Sequence, residues 1–237
     1  MASSILIQPC TTHDGLAIAT NNVGAFWRDA SWILIWGTKT ETYVASQAAL
    51  RWPYNLLQNQ AHHRFFKGVD SESGKLLGFV RWDLPDVPGA SELWIEGRVP
   101  SVELEVEAVL KKAKESADWE YIENDLDAPI GAAMRRLKEG QGYLVLDYLA
   151  VHPDNSRKGV GTALVEHGLR KAADLGLDVF VHGKDAGLPL YSKCGFELLE
   201  RLWIDDAELG GRGYGAHLMV WRCSKTSVVS GGVREPA

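Results

Sequence analysis

The sequence lacks the features that mark several large classes of protein. Its 237 residues include only three cysteines, Cys10, Cys194 and Cys223, and their spacing fits neither a metal site nor a disulfide framework. No apolar run approaches the roughly 20 residues that a membrane-spanning helix needs. The opening Met-Ala-Ser-Ser has no basic stretch followed by an apolar one, so we expect no secretory signal peptide. These absences predict a cytoplasmic protein with no membrane partner.

Positive charge is also scarce. The chain has 25 Lys and Arg against 31 Asp and Glu, a formal net charge of −6. Nucleic-acid-binding surfaces are normally basic, so we expect no nucleic-acid partner. Residues 85–140 contain thirteen acids and seven bases, and this segment alone therefore carries the excess negative charge. The hydrophobic content of 46% is ordinary for a globular chain that can bury a sizeable core.

One stretch combines a strand, a basic glycine turn and a helix. Residues 143–151 are apolar apart from Asp147 and end at His152-Pro153. The turn 156–162 reads Ser-Arg-Lys-Gly-Val-Gly-Thr, and a helical pattern then runs to Gly176. Backbone N–H groups at the start of a helix have no partner within the helix, and they bind phosphate. The stretch therefore predicts a cradle for a pyrophosphate group.

Two common phosphate-binding motifs do not fit this turn. A P-loop has its lysine directly after a glycine, whereas Lys158 precedes Gly159. A dinucleotide-binding fingerprint needs a third glycine where this chain has Leu164. The ligand must therefore be sought in another class of phosphate-binding protein.

The stretch resembles the acetyl-CoA-binding motif of the GNAT superfamily of N-acetyltransferases. The match lies in the strand end Leu149-Ala150-Val151-His152-Pro153 and the turn Gly159-Val160-Gly161. Residues 188–197, LPLYSKCGFE, resemble the family's second motif, a short tyrosine helix that ends in Gly-Phe-Glu. The family usually has Gln or Arg where this chain has Ser156, so we expect altered side-chain contacts in a site that still works through its backbone.

The resemblance implies a mixed α/β (α+β) fold. We expect a mostly antiparallel sheet of six to seven strands, with helices on both faces and a splay between the two central strands. One domain should cover residues 1–223, with an acidic helical insertion over about 85–140 and a disordered tail over 224–237. Within the insertion, periodicity predicts helices over 101–117 and 130–139. Alternating patterns and turn residues predict strands near 5–7, 63–69, 75–82, 143–151, 177–181, 197–204 and 217–223.

The resemblance also implies a function. We expect an acyl-CoA-dependent N-acyltransferase that passes acetyl from acetyl-CoA to a primary amine by direct attack in a ternary complex, without a metal. The acceptor would be a small-molecule or peptide amine, and the chain a monomer or homodimer. A protein-lysine or N-terminal acetyltransferase and a non-catalytic acyl-CoA-binding sensor are the alternatives. The implied cofactor-binding residues are Leu149, Ala150, Val151, Arg157, Lys158, Gly159, Val160, Gly161 and Thr162.

Two residues are the predicted catalytic groups. Tyr191 matches the family's thiolate-protonating tyrosine, and the ordinary pKa of a tyrosine, about 10, keeps it protonated at neutral pH. Asp147 is a candidate base because an acid inside an apolar strand costs free energy unless it is paired or hydrogen-bonded. A purely structural hydrogen bond is the competing interpretation, and His152 is a second candidate base. Cys194 has no histidine or acid placed beside it by the motif, so we expect it to be a packing residue.

Three further groups have both a functional and a structural interpretation. Neighbouring residues on a strand point to opposite faces, which argues against a metal shared by His62 and His63. The acids Glu120, Glu123, Asp125 and Asp127 could attract a cationic amine or simply form a solvated face. Aromatic residues are dense early in the chain and could build the core or an acceptor pocket that makes a cation–π contact with an amine. We expect one or two tryptophans of this set to line the acceptor groove: Trp27, Trp32, Trp36, Tyr43, Trp52 and Tyr54.

Overall fold

The computed structural model describes residues 4–223, in which seven strands form one mixed sheet. The strands are β1 (Ile5–Pro9), β2 (His63–Asp70), β3 (Leu76–Asp83), β4 (Leu144–Val151), β5 (Val179–Lys184), β6 (Glu197–Ile204) and β7 (Tyr214–Trp221). Their order across the sheet is β1-β2-β3-β4-β5-β7-β6, and every neighbouring pair is antiparallel except β4 and β5. The helices are α1 (Gly15–Phe26), α2 (Ala30–Leu34), α3 (Glu41–Asn55), α4 (Leu104–Glu115), α5 (Ala128–Lys138), α6 (Val160–Leu175) and α7 (Leu188–Lys193).

The predicted fold class is confirmed, and each predicted strand is present within a few residues. The largest shifts are of three residues: β7 begins at Tyr214 and not at His217, and β5 runs to Lys184 although the apolar pattern ends at Val181. His182 and Lys184 continue the strand because β5 stays paired with β7 as far as Lys184 and Ala216. Residues 1–3 and the predicted tail, 224–237, lie outside the described residues. Within the described chain, no helix is long and apolar enough to cross a bilayer.

Alternating side chains of β3 pack against helices on the two faces of the sheet. Phe79 faces α3, where its ring lies 5.1 Å from that of Trp52. Trp82 faces α6, whose Gly168 leaves room for the indole because any Cβ at that position would overlap it. Burial of both aromatic residues, each with no exposed surface, fixes the helices against the sheet.

The two helices predicted within residues 85–140 are present, but one differs in its surroundings. Helix α4 begins at Leu104, after Glu103 at its N-cap, and not at the predicted Ser101. Val106 and Val109, which the periodicity assigns to a buried face, are 45% and 67% exposed. Among the helices, only α3 makes extensive contacts with α4. Part of the apolar surface of α4 is therefore left uncovered. Periodicity thus predicted the helix correctly and overstated its burial.

The two central strands separate, as predicted. Strands β4 and β5 pair only between residues 144–146 and 179–181. On the other side of β4, Arg81 pairs with Tyr148 and Trp82 pairs with Leu146, which leaves Asp147 opposite no residue of β3. This β-bulge lies where the gap between β4 and β5 opens, and bulges commonly redirect strands next to functional sites.

Candidate active site

The gap between β4 and β5 opens into a cavity of about 600 Å³, here called the splay cavity. One wall is β4 from residue 146, the last that pairs with β5, to residue 151. The opposite wall is the end of β5 with the turn that follows it, residues 182–187. Helix α1 adds Ala25 and Phe26, and helix α7 adds Tyr191. Alternate backbone N–H groups of β4 face the gap because the other edge of this strand is paired with β3.

Helix α6 begins beside this cavity with a row of unpaired backbone donors. The first hydrogen bond of the helix runs from the Ala163 N–H to the Gly159 carbonyl at 2.9 Å. Within residues 4–223, the six N–H groups of 157–162 donate no hydrogen bond. Gly159 has φ +83° and Arg157 has φ +58°, and a non-glycine residue in this left-handed region is uncommon. The backbone here is bent into a conformation that turns these donors outward.

The turn is open to an anion. Arg157, Lys158 and Gly159 are exposed, and the two side chains form no ion pair with any described acid. Gly161 and Ser156 lie on the wall of the splay cavity. A Cβ at Gly161 would lie 3.2 Å from Leu190 Cδ2, so a larger side chain would narrow the cavity there. The geometry is that of a helix N-terminus able to bind a phosphate group.

Of the predicted cofactor-binding residues, four line the splay cavity: Leu149, Ala150, Val151 and Gly161. Arg157, Lys158, Gly159 and Thr162 belong to the adjoining turn. Val160 is only 1% exposed, and its side chain packs beneath the sheet against Gly68 and Gly78. Only its backbone N–H can therefore contribute to ligand binding.

Tyr191 lies in the wall of the splay cavity and is 6% exposed. Its ring packs against the backbone of Gly183, where a Cβ would lie 2.6 Å from the ring. Burial, with a smaller contribution from Cys194, raises the pKa of Tyr191 above its usual value. The hydroxyl is therefore protonated at neutral pH and can donate a proton or a hydrogen bond. Burial also raises the pKa of Cys194, which keeps this residue a neutral thiol.

Asp147 lines the splay cavity but forms an ion pair with Arg81 of β3. The Nε of Arg81 donates to Asp147 Oδ2 at 2.6 Å, and its Nη2 contacts the same oxygen. The Asp147 side chain is 28% exposed, so its charge is stabilised by both a partner and solvent. The expected partner exists, although it belongs to the neighbouring strand and not to a loop.

The other candidate base, His152, lies away from the cavity wall. Its Nδ1 accepts a hydrogen bond from the Asp154 N–H at 3.3 Å, and its ring packs against Gly24. The residues that line the splay cavity do not include it. His152 therefore packs and hydrogen-bonds at the end of β4, outside the cavity.

His182 is a residue of the cavity wall that the sequence analysis did not identify as a candidate. It follows Val181, the last β5 residue paired with β4, and therefore lies where the two strands separate, close to Asp147. Its Nε2 is buried and has no hydrogen-bond partner within residues 4–223. Burial lowers the pKa of His182, and Asp127 opposes this shift while Lys184 adds to it. The imidazole is thus neutral at pH 7 and can accept a proton. The only signal in the sequence is a histidine directly after an apolar strand.

The site agrees with what the family comparison finds. Residues 118–198 match the family model described as an acetyltransferase (GNAT) domain. Residues 118–198 of the chain therefore belong to the GNAT superfamily.

Two curated relatives match part of this chain. The peptidyl-lysine N-acetyltransferase YjaB of Escherichia coli (strain K12) is 33% identical over 85 residues, which are 34% of this chain and 57% of that protein. An acetyltransferase of Stachybotrys chartarum (strain CBS 109288 / IBT 7711) is 29% identical over 85 residues, which are 36% of each chain. The chain thus covers less than two thirds of either relative.

Solved structures share the fold at low sequence identity. A structure described as histone acetyltransferase HPA2 and related acetyltransferase, from Corynebacterium glutamicum, has a TM-score of 0.56 at 19% identity and covers 96% of this chain and 100% of its own. The PaiA N-acetyltransferase of Thermoplasma acidophilum, solved in complex with coenzyme A, has a TM-score of 0.50 at 14% identity and covers 92% of this chain and 99% of its own.

Charged residues at the far end of the splay cavity come from α2 and β5 and not from the acidic segment. Asp29, which caps α2, forms an ion pair with Lys184 at 2.7 Å, and Lys184 lies 4.0 Å from the ring centroid of Tyr214. Asp127 influences the cavity only through its charge on His182 and Tyr214. The other predicted amine-attracting acids, Glu120, Glu123 and Asp125, are exposed and line neither this cavity nor the next.

A second cavity of about 310 Å³, here called the aromatic cavity, lies between α1, α3 and residues 119–121. Trp32, Trp36 and Trp52 of the predicted aromatic set line it, together with Trp119 and Tyr121 from the acidic segment. Tyr148 lines both cavities, and its ring lies 5.1 Å from that of Phe26. The acidic segment therefore contributes a wall here, while its acids face solvent.

Among residues 4–223, no group of three or more His, Cys, Asp and Glu side chains is arranged to hold a metal ion. His63 contacts Asp83 at 3.3 Å, and burial lowers the pKa of this histidine to about 4.

Proposed function

We propose that this protein transfers acetyl from acetyl-CoA to the nitrogen of a primary amine, in a ternary complex and without a metal. One observation carries the proposal: six unpaired backbone N–H groups open α6 beside a cavity made by the separation of β4 and β5. Donors at a helix N-terminus suit a diphosphate, and the cavity suits the arm that carries the thioester. The absence of a side chain at Gly161 also favours a bound ligand, because a Cβ there would narrow the space beside the turn.

In this proposal the cradle and the strand hold the two ends of acetyl-CoA. The N–H groups of 157–162 bind the diphosphate, while Arg157 and Lys158 add positive charge. Leu149, Ala150 and Val151 line the path of the arm, and an N–H on the free edge of β4 donates to the thioester carbonyl. A preorganised donor at this oxygen stabilises the negative charge that develops during attack.

The reaction follows from direct attack. The amine nitrogen forms a bond to the thioester carbon, and the tetrahedral intermediate collapses by breaking the carbon–sulfur bond. The proton lost by the amine goes to the base, and the thiolate of CoA takes a proton from Tyr191. The products are an amide and CoA, and both side chains return to their starting states by exchange with solvent.

We assign the base to His182. A neutral imidazole in the cavity can accept a proton at pH 7, whereas Asp147 is already engaged by Arg81. Asp147 then acts on the imidazolium that forms, as a nearby negative charge. Asp147 therefore keeps a place in the site as a positioning residue and not as the proton acceptor.

Peptide lysine is the second candidate acceptor, because one curated relative is named a peptidyl-lysine N-acetyltransferase. A non-catalytic acyl-CoA sensor has less support, since both a protonated tyrosine and a neutral histidine line the splay cavity. We further propose that residues 1–223 act as one domain, in the cytoplasm, as a monomer or homodimer, with neither nucleic acid nor membrane as partner.

The test measures thiol release from acetyl-CoA with a panel of amino acids, arylalkylamines, polyamines and lysine peptides. Tyr191→Phe and His182→Gln should each lower kcat about 100-fold and leave CoA binding unchanged. Tyr43→Phe, which changes an exposed tyrosine, is the matched control. CoA at a hundredfold excess over its dissociation constant should stabilise every variant by about 2.7 kcal/mol. If CoA stabilises the wild type but no amine-dependent thiol release occurs, the sensor assignment is supported. If CoA gives no stabilisation and no amine-dependent release occurs, both the transferase and the sensor assignments are refuted.

The pH profile tests the base separately. Because burial lowers the pKa of His182, the midpoint of its titration lies below the ordinary value of about 6.5. For wild type, the rise of kcat/KM that is due to the enzyme should therefore have its midpoint below pH 6.5, and His182→Gln should abolish this rise. A profile unchanged by this substitution would remove His182 from the mechanism.

A further inference from the structure

The aromatic cavity has a charge pattern opposite to that expected for an amine-binding pocket. Its charged lining residues are Arg51 and Arg81, and no acid lines it. Arg81 is neutralised by Asp147. Among residues 4–223, no acid lies within ion-pair distance of Arg51. One cation at the cavity is therefore left without a counter-charge.

Arg51 is held in place and is partly desolvated. Its guanidinium lies 4.7 Å from the ring centroid of Trp119, and burial lowers its pKa. The pKa of Lys114 is also lowered, mainly by burial and to a smaller extent by the nearby charge of Arg51. Glu115 offsets part of the charge of Lys114. Arg51 lines the cavity itself and gives it a positive potential that attracts an anion.

Buried hydrogen-bond donors of the cavity also lack acceptors. Trp36 is 4% exposed, and its Nε1–H finds no hydrogen-bond acceptor in the described part of the chain. Asn22 is 2% exposed, and its Oδ1 accepts a hydrogen bond from Asn21. Its Nδ2 approaches the Tyr148 hydroxyl but completes no hydrogen bond of normal geometry within the described residues. Indole and guanidinium nitrogens can only donate. A buried donor without a partner is costly, so the cavity is complementary to a group that accepts hydrogen bonds.

The remaining walls are flat and apolar. The rings of Trp36 and Trp119 lie 4.8 Å apart at 72°, and those of Trp32 and Trp36 lie 5.2 Å apart at 59°. A volume of about 310 Å³ suits a molecule with one aromatic ring and a short polar group. Such walls select a planar apolar body, while the donors select its polar end.

We propose that the aromatic cavity binds the carboxylate of a planar, apolar molecule, and that the acceptor amine therefore belongs to the class of aromatic amino acids. The carboxylate lies on Arg51 and the Trp36 Nε1–H, and the ring packs between the tryptophans. Tyr148, which lines both cavities, is then the side chain past which the amine reaches the thioester. This assignment of acceptor rests on the proposed transferase function, whereas carboxylate binding does not.

Calorimetric titration of the protein without CoA tests the cavity directly. The probes are phenylacetate, its neutral amide phenylacetamide, and the cation phenethylamine. Phenylacetate should bind at least tenfold more tightly than either of the others, because only the acid can neutralise Arg51. Equal or tighter binding of the amide or the amine would overturn the proposal.

Two variants locate the binding. Arg51→Gln should weaken phenylacetate binding at least tenfold, and Trp36→Phe, which keeps a ring but removes the N–H, about threefold. Arg170→Gln, at an exposed arginine of α6, should change nothing. Unfolding temperatures and stabilisation by CoA show whether each variant is folded. Phenylacetate binding that is unaffected by Arg51→Gln in a folded protein would overturn the site.

Turnover separates this inference from the transferase proposal. With acetyl-CoA, phenylalanine should exceed phenethylamine in kcat/KM at least tenfold, and Arg51→Gln should remove that preference through KM. Carboxylate binding without stabilisation by CoA would refute the transferase and leave the cavity assignment intact. CoA-dependent acetylation that favours phenethylamine in both proteins would refute the assignment of acceptor alone.

Discussion

The splay cavity and the aromatic cavity share Tyr148 but are built from different parts of the chain. The splay cavity owes its shape to backbone: two strands that separate, a bulge at Asp147 and the first turn of α6. The aromatic cavity is lined by side chains from α1, α2 with the two residues after it, α3, β3, β4 and residues 119–121. One cavity presents a backbone surface suited to a ligand of fixed chemistry, and the other presents side chains that can change without altering the fold.

This contrast explains why one half of the site can be recognised locally and the other cannot. Backbone donors need glycines and a helix start within a few residues, so they leave a short motif. Side chains that meet across a cavity need no particular spacing. The contrast also makes the two halves separable by experiment, since a change in one should leave ligand binding in the other intact.

Filling the cradle should separate the two cavities most strongly. Gly161→Val places methyl groups between Leu190 and Val151, where a Cβ alone already approaches Leu190 to 3.2 Å. We expect CoA to bind about 100-fold more weakly, a loss of about 2.7 kcal/mol, while phenylacetate binding is unchanged. Titrations with both ligands measure this. Gly131→Val in α5 is the matched control, and an equal loss of both ligands in Gly161→Val would mean that the cavities are not independent.

Asn21 should couple the cavities, because it joins α1 to the end of β4. Its Nδ2 donates to the Ala150 carbonyl at 3.0 Å, and its Oδ1 accepts from the His152 N–H at 3.0 Å. Asn21→Ala leaves these buried backbone groups without partners and should cost about 2 kcal/mol in the free energy of unfolding. Both ligands should bind more weakly, since α1 lines both cavities. Denaturant unfolding and the two titrations test this, with the exposed Asn124→Ala as control. Unchanged affinity for both ligands would show that α1 keeps its position without this link.

The Arg81–Asp147 pair lies between the cavities, so breaking it should affect them in opposite ways. Asp147→Asn removes the counter-charge of Arg81, and phenylacetate should then bind about threefold more tightly. Acetyl transfer should slow about tenfold as His182 loses its nearby negative charge. The half-exposed pair contributes at most about 1 kcal/mol to stability. Asp154→Asn, at an exposed acid, is the control for both measurements. Weaker phenylacetate binding would show that Arg81 contributes no free charge to the aromatic cavity.

Asp83 lies outside both cavities and should change stability without changing either ligand. Burial raises its pKa to about 6, above the value of about 3.9 for an unfolded chain. Its favourable contribution is therefore complete below pH 3.9 and is lost as the pH rises through about 6. Asp83→Asn should gain about 1 kcal/mol relative to wild type between pH 4 and pH 7. Unfolding at several pH values measures this, with the exposed Asp86→Asn as control. A difference independent of pH would mean that Asp83 is ionised normally in the folded protein.

The residues recovered from sequence and those missed differ in how their roles arise. Tyr191 and Gly161 belong to short motifs, and both line the splay cavity, where we propose their roles. Asp147 is recognisable as an acid in an apolar strand, yet its partner Arg81 lies 66 residues earlier. His182 has no such neighbour, and its character comes from burial in the gap between strands. Trp36 belongs to the aromatic set that is expected to supply one or two tryptophans of the acceptor groove, whereas Arg51 can be read only as an ordinary helical residue until the cavity is seen.

The sequence by itself determined the strands, the helices and the glycine turn that we propose binds phosphate, because periodicity, turn residues and helix starts act over a few residues. Only the tertiary structure decided the burial of α4, the neutral state of His182 and the positive charge of the aromatic cavity. These properties are sums over side chains that lie far apart in the chain, and the free energy of each charge depends on which of them fold beside it.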